Sequence, residues 1–159
     1  MRVVFFLVIF LALTACGFHL RSAVSVPPNL APVALRGVAL DHAFSRIINR
    51  QLVIGEDWVE DEAQAKAVIS IEKERWQTRV LTVGSGGQAL EQELRLLLDY
   101  KIVSNKGEVL VSLDQLVLTR DYALNASQLL AQSGEEQTLR EDIYRQAFEL
   151  ILTRMRTKS

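Results

Sequence analysis

The sequence predicts an α+β fold in which two helices pack on one face of a four-stranded, mainly antiparallel sheet, a two-layer sandwich. Three observations carry this. Apolar residues recur at helical spacing in two separated segments, around 44–52 and 139–155. Between them run long stretches in which polar and apolar residues alternate, interrupted by glycine-bearing turns. The resulting order of strand, helix, three strands and helix places helices against one sheet rather than between parallel strands.

The elements follow in order. Residues 17–32 hold all three prolines (Pro27, Pro28, Pro32) and no acidic residue, and read as an extended tether. Residues 33–40 are a short apolar segment suited to a first strand. Asp41 is placed to cap a helix whose buried stripe is Phe44, Ile47, Ile48 and Leu52, with Arg46, Asn49 and Arg50 opposite. Gly55 can end that helix in a left-handed conformation. Trp58 and Val59 lie between Glu56, Asp57 and the acidic run 60–62, which reads as a solvated loop; carboxylates at irregular spacing without a histidine are poor metal ligands.

Three long strands are predicted next. Residues 67–83 open with Val68, Ile69 and Ile71, then alternate charged and apolar residues up to a flexible glycine tip, Gly84-Ser85-Gly86-Gly87. Leu94, Leu96, Leu98, Tyr100 and Ile102 mark one face of the second strand at period two. Asn105-Lys106-Gly107 is a hairpin turn, and 109–122 returns as the third long strand with apolar residues on both faces. Strands this long exceed the usual 5–6 residues, so bends or bulges are expected. Ser133 and Glu136 form a capping box for the last helix, whose stripe is Leu139, Ile143, Ala147, Leu150, Ile151 and Met155.

The amino terminus has its own chemistry. Arg2 precedes an unbroken apolar run, 3–13, which is the length of a secretion signal and short of the roughly 20 residues a membrane span needs. Leu13-Thr14-Ala15-Cys16 resembles the lipobox of bacterial lipoproteins. In that class the signal is cut before the cysteine, whose sulfur takes a diacylglyceryl group and whose new amino terminus is acylated. The division expected is signal 1–15, lipidated tether 16–32 with the lipid on Cys16, and one α+β domain over 33–159. The alternatives are a signal followed by a stray cysteine, or a short membrane anchor. One acyl chain binds membranes at only about 10⁴ M⁻¹, so stable anchoring needs the further chains such a cysteine carries. Gly17 stands where an aspartate favours inner-membrane retention in enterobacterial-type sorting, which points to the outer membrane. The single cysteine leaves no disulfide to form.

Composition gives no sign of a nucleic-acid surface: 18 basic residues stand against 19 acidic ones, a near balance that still leaves room for a local basic patch. No catalytic constellation is present. His19 and His42 have no motif around them, and His42 reads as a capping or surface residue. No G-x-S-x-G elbow occurs, and the glycine tip lacks the lysine and hydroxyl residue of a phosphate-binding loop. No cofactor or metal is implied. One constellation stands out. Lys73, Arg75 and Arg79 share parity on one strand and project to one face, with Arg95 on the return strand near it in a suitable register. Such a row suits lipid phosphates through charge-assisted hydrogen bonds; the alternative is a solvated face neutralised by Glu72, Glu74, Glu91 and Glu93. Trp76, on the opposite parity, reads as core or partner contact.

Cys16-Gly17-Phe18-His19-Leu20-Arg21 resembles the opening of the LPS-assembly lipoprotein family LptE. A proline-bearing tether, Asp121-Tyr122-Ala123-Leu124-Asn125-Ala126 after the last strand, and Tyr144 with Ala147 in the final helix are similar to the family too. The resemblance implies a non-enzymatic lipoprotein of the outer membrane. It would sit inside the LptD-type β-barrel as plug and assembly aid, and contact lipopolysaccharide as that lipid is placed in the outer leaflet. It also gives the basic row (Lys73, Arg75, Arg79, Arg95) a ligand bearing phosphates. Where relatives are expected to carry basic residues near the tip and before the last helix, this chain has Gln88 and Gln132. The alternative expectation is a stand-alone binder of lipopolysaccharide or another acidic amphiphile.

Overall fold

A computed structural model describes residues 25–52, 57–124 and 129–158, the last with backbone only at 129–133 and 158. Strand β1 (Val33–Arg36) leads through helix α1 (Ala43–Leu52) to β2 (Ala67–Val83), β3 (Ala89–Ser104), β4 (Val109–Ala123) and the long helix α2 (Leu129–Lys158). The sheet order is β1-β2-β3-β4. β1 and β2 are parallel, and both other pairs are antiparallel, so the sheet is mixed with one parallel pair. The predicted α+β class holds.

Length matching explains the architecture. Seventeen residues of β2 extend about 50 Å, and thirty residues of α2 about 45 Å, so one helix runs nearly the whole sheet. Alternation decides which face it covers. Leu94, Leu96, Leu98, Tyr100 and Ile102 of β3 are fully buried, facing Ile143, Phe148, Ile151, Leu152 and Met155 of α2 and Phe44 and Ile48 of α1 in one core. The α2 stripe is wider than the spacing predicted, because Tyr144, Phe148 and Leu152 are buried as well. A satellite cluster, Ala34, Ala65 and Val68, closes the opposite face at the β1 end.

The expected irregularities are present. The β2–β3 register shifts between Ile71 and Lys73 and again near Thr82, and that of β3–β4 shifts between Tyr100 and Ile102. The last shift sets Ser112 and Leu113 together opposite Lys101, one extra residue in β4, and accounts for apolar residues on both its faces. Gly37, at φ +90, leaves β1 against the first shift; a Cβ there would lie 2.0 Å from the Ile71 carbonyl oxygen.

Local expectations fare unevenly. α1 is capped by His42 rather than Asp41: its Nδ1 accepts from the Phe44 N–H at 3.3 Å, and Ser45 Oγ donates to the Ala39 carbonyl. α2 begins at Leu129, four residues before Ser133, so the Ser133–Glu136 capping box does not start it; Glu136 instead accepts from Arg140 one turn on. The glycine tip, expected to be flexible, is a closed turn in which Gly84 N–H donates to Gln88 O and Gly87 N–H to Gly84 O. Val26 and Leu30, in the segment expected as tether, are buried in the main core, and Arg156 holds the Ser25 carbonyl. The lipobox, Cys16 and Gly55 lie outside the described residues.

One polar knot ties α2 to the sheet. Tyr144 OH donates to Glu74 Oε1, and Trp76 Nε1–H reaches the same carboxylate oxygen at 2.9 Å and the Tyr144 oxygen at 3.0 Å. His42 Nε2 lies 3.6 Å from the other carboxylate oxygen, and Arg140 stacks over the Trp76 ring. Burial, then the hydrogen bond to Glu74, raises the Tyr144 phenol well above its ordinary value.

Two predictions follow from this packing. Phe148→Ala empties a fully buried site and costs about 3–5 kcal/mol, whereas Leu40→Ala, at an exposed position, stays within about 0.5 kcal/mol, both read from urea midpoints. Tyr144→Phe removes a donor from a half-enclosed carboxylate and costs about 1–2 kcal/mol at neutral pH. Because the folded phenol titrates above its unfolded value of 10.0, its contribution is complete below that pH and is lost as pH climbs through the folded value. As pH rises above 10.0, stability of the parent chain therefore falls more than that of the Phe variant; equal falls would refute the buried-phenol account.

Candidate functional site

The register fixes where the basic row points. Ile71, Glu74, Trp76 and Thr78 pair with Tyr100, Leu98, Leu96 and Leu94, so they share the helix-covered face. Lys73, Arg75, Gln77 and Arg79 pair with Asp99, Leu97, Arg95 and Glu93 on the opposite, open face. Arg95 therefore stands directly beside Gln77, with Arg75 and Arg79 as diagonal neighbours roughly 7–8 Å away. The structure brings all four predicted cations together on one surface.

Their neutralisation differs from the solvated-face alternative. Arg79 lies 3.5 Å from Glu93. Glu72 pairs with Lys101 at 2.9 Å instead of with the row, and that hydrogen bond, with one from Ser70, lowers its carboxyl below the ordinary value. Glu74 is on the other face in the Tyr144 knot, and Glu91 accepts from Thr82. Lys73 and Arg75 make no ion pair or hydrogen bond among the described residues. Arg95 is half-buried between the neighbouring strands, and its Nε is enclosed without a hydrogen-bond partner. Two exposed cations and a guanidinium whose Nε is enclosed without a partner form an anion-attracting strip about three residue pairs long.

A second feature escaped the sequence reading. Val80, Leu81, Val83 and Leu90 are exposed beside the glycine tip, making the end of the hairpin apolar. The signal available was the flanking of four consecutive small residues by aliphatic ones on both strands. Gln88 lies at that tip; the side chain of Gln132 lies outside the described residues. Trp76, read as core or partner contact, packs on the core with Tyr144 edge-on to it. Among the described residues no group of three His, Cys, Asp or Glu side chains is gathered to hold a metal. The acidic run 60–62 is occupied locally: Asp61 caps a 3-10 turn (Glu62–Gln64), and Glu62 is hydrogen-bonded by Arg36, which lowers its carboxyl.

No curated protein matches this chain. Rare lipoprotein B from Shewanella oneidensis has a similar solved structure, at TM-score 0.65 and 19% identity over 79% of this chain and 93% of that one. A lipoprotein B from Nitrosomonas europaea aligns at TM-score 0.62 and 26% identity, covering 86% of this chain and 88% of the other. A minor lipoprotein from Acinetobacter baumannii shares the fold at TM-score 0.60 and 15% identity, over 77% and 88% of the two chains. The family described as LptE, lipopolysaccharide-assembly, matches residues 22–155, which take in every strand and both helices up to the last turn of α2. By that match the chain belongs to the LptE lipopolysaccharide-assembly family.

Proposed function

We propose that this protein is a lipid-anchored, non-enzymatic component of lipopolysaccharide assembly that seats in an LptD-type outer-membrane β-barrel, plugging it and aiding its assembly. The family match over residues 22–155 carries the reading. Cys16 is the proposed attachment point for N-acyl and S-diacylglycerol chains, which would hold the domain at the outer membrane. Barrel lumens are polar, and the open sheet face offers a polar surface of mixed charge to such a lumen.

Lys73, Arg75, Arg79 and Arg95 are the proposed contacts for lipopolysaccharide phosphates. The unpaired state of Lys73 and Arg75 and the enclosed Arg95 Nε favour this, and they equally support the second reading, a stand-alone binder of acidic amphiphiles.

Gentle detergent extraction and capture through a C-terminal tag should recover one large β-barrel protein in fixed stoichiometry, retained through high salt; a lipoprotein recovered free would overturn the barrel reading. Purified protein should bind lipopolysaccharide with an affinity that falls as salt rises. Replacing Lys73, Arg75 and Arg79 together with glutamine should weaken that binding by about tenfold or more and flatten its salt dependence. Unchanged binding would remove the row from the site.

A further inference from the structure

The sheet has two long free edges, and they are treated differently. β1 pairs with β2 only over Ala67 to Ser70, which leaves the rest of β2 unpaired on that side. Lys73, Arg75 and Arg79 stud that edge, and charge on an edge strand is a standard deterrent to strand addition. β4 is the other edge, fifteen residues long, with neither lysine nor proline. It exposes Val109, Leu113 and Val117 at 64%, 66% and 47%. Two of its charges are turned inward, Asp114 to Arg154 and Arg120 to Gln146.

α2 flanks this edge, and two clefts lie between them. One of about 330 Å³ is bounded by Val111, Leu113, Asp114, Arg154 and Thr157. The other, of about 340 Å³, is bounded by Arg120, Asp142, Gln146 and Glu149. They are separated by about 20 Å of regular strand, since 114–122 pairs with β3 without interruption. An edge strand beside a helix, with side-chain-sized openings at intervals, is the geometry of β-strand addition.

The open face states the chemistry of the occupant. Val117 pairs with Leu97, an apolar couple that an aliphatic side chain on its free side would extend. Asp121 is directly opposite Glu93, an unfavourable like-charge pair in which Glu93 has Arg79 at 3.5 Å, whereas Asp121 makes no ion pair among the described residues. A lysine or arginine on an added strand would relieve it. A second copy of β4 is a poorer match in the antiparallel register that pairs Val117 with itself, which sets Leu113 opposite Asp121.

We infer that residues 114–122 of β4 accept an extended strand of the partner polypeptide, with an aliphatic residue beside Val117 and a basic residue beside Asp121. This rests on the barrel-partner reading above. The test uses the intact lipoprotein–barrel complex. Amide hydrogen exchange over 114–122 should slow by about tenfold or more relative to the free lipoprotein, because strand addition supplies backbone acceptors. Val117→Lys and Asp121→Lys should each lower partner recovery by about tenfold with the urea midpoint unchanged, and Val117→Ile should retain the partner. Unchanged exchange over 114–122 in the complex, or full recovery with both lysine variants, overturns the inference and leaves the barrel reading intact. Protection present already in the lipoprotein alone and growing with its concentration would assign the edge to a second copy and overturn it too. A wild-type protein without any barrel partner sinks the barrel reading, and the strand addition falls with it.

Discussion

The extra residue inserted in β2 between Ile71 and Lys73 decides what every later side chain of that strand does. Before it, odd-numbered Ile69 and Ile71 point into the core. After it, even-numbered Glu74, Trp76 and Thr78 face the helices, and Lys73, Arg75 and Arg79 face outward. An unbroken alternation would drive three cations under α1 and α2 and put Trp76 in solvent. A one-residue slip inverts a strand in this way, and burying unpaired charges costs several kcal/mol each. Gly37 belongs to the same device, since it is the residue that lets β1 turn away within contact of the Ile71 carbonyl.

The bulge also assigns Glu74 its partners. A carboxylate inside a two-layer sandwich is tolerable only when its acceptors are filled. Trp76 fills one from the same strand, and Tyr144 fills one from a helix seventy residues away in sequence. The knot therefore sets α2 in height and rotation against β2, which the aliphatic contacts around it leave less tightly specified. The three aromatic rings around it, Phe44, Trp76 and Tyr144, join α1 to the same point.

Features that depend on local chemistry could be read from the sequence. Period two over 94–102 and period three to four over 139–155 report which atoms water must leave, and both recur in the fold. The basic row could be read for the same reason, because parity along one strand is a covalent property. What could not be read depends on contacts between distant segments. His42 displaces Asp41 as the cap of α1 while its ring also reaches Glu74 and Tyr144. α2 starts ahead of Ser133, so a good local start signal did not set the boundary. Val26 and Leu30 sit in a proline-rich stretch with no periodicity, yet the core accepts them. The free edge of β4 has no signature of its own, since an edge is defined by the strand that is missing.

The Arg156–Ser25 hydrogen bond, with Val26 and Leu30 sunk in the core, fixes the point where the chain leaves the body at the β1 end of the sheet. The glycine turn closes the opposite end, about 50 Å away along β2. A lipid on Cys16 would be joined to that exit by the eight residues 17–24, at most about 28 Å of chain. With that lipid in place the body would be a rod leashed at its foot, with a leash shorter than the rod. Upright, its apolar end would stand clear of the membrane; lying down, the whole open face could be brought flat against a neighbour. A short leash of this kind restricts the search for a partner to a thin shell above one membrane, which raises the local concentration of each surface for the other without any added affinity.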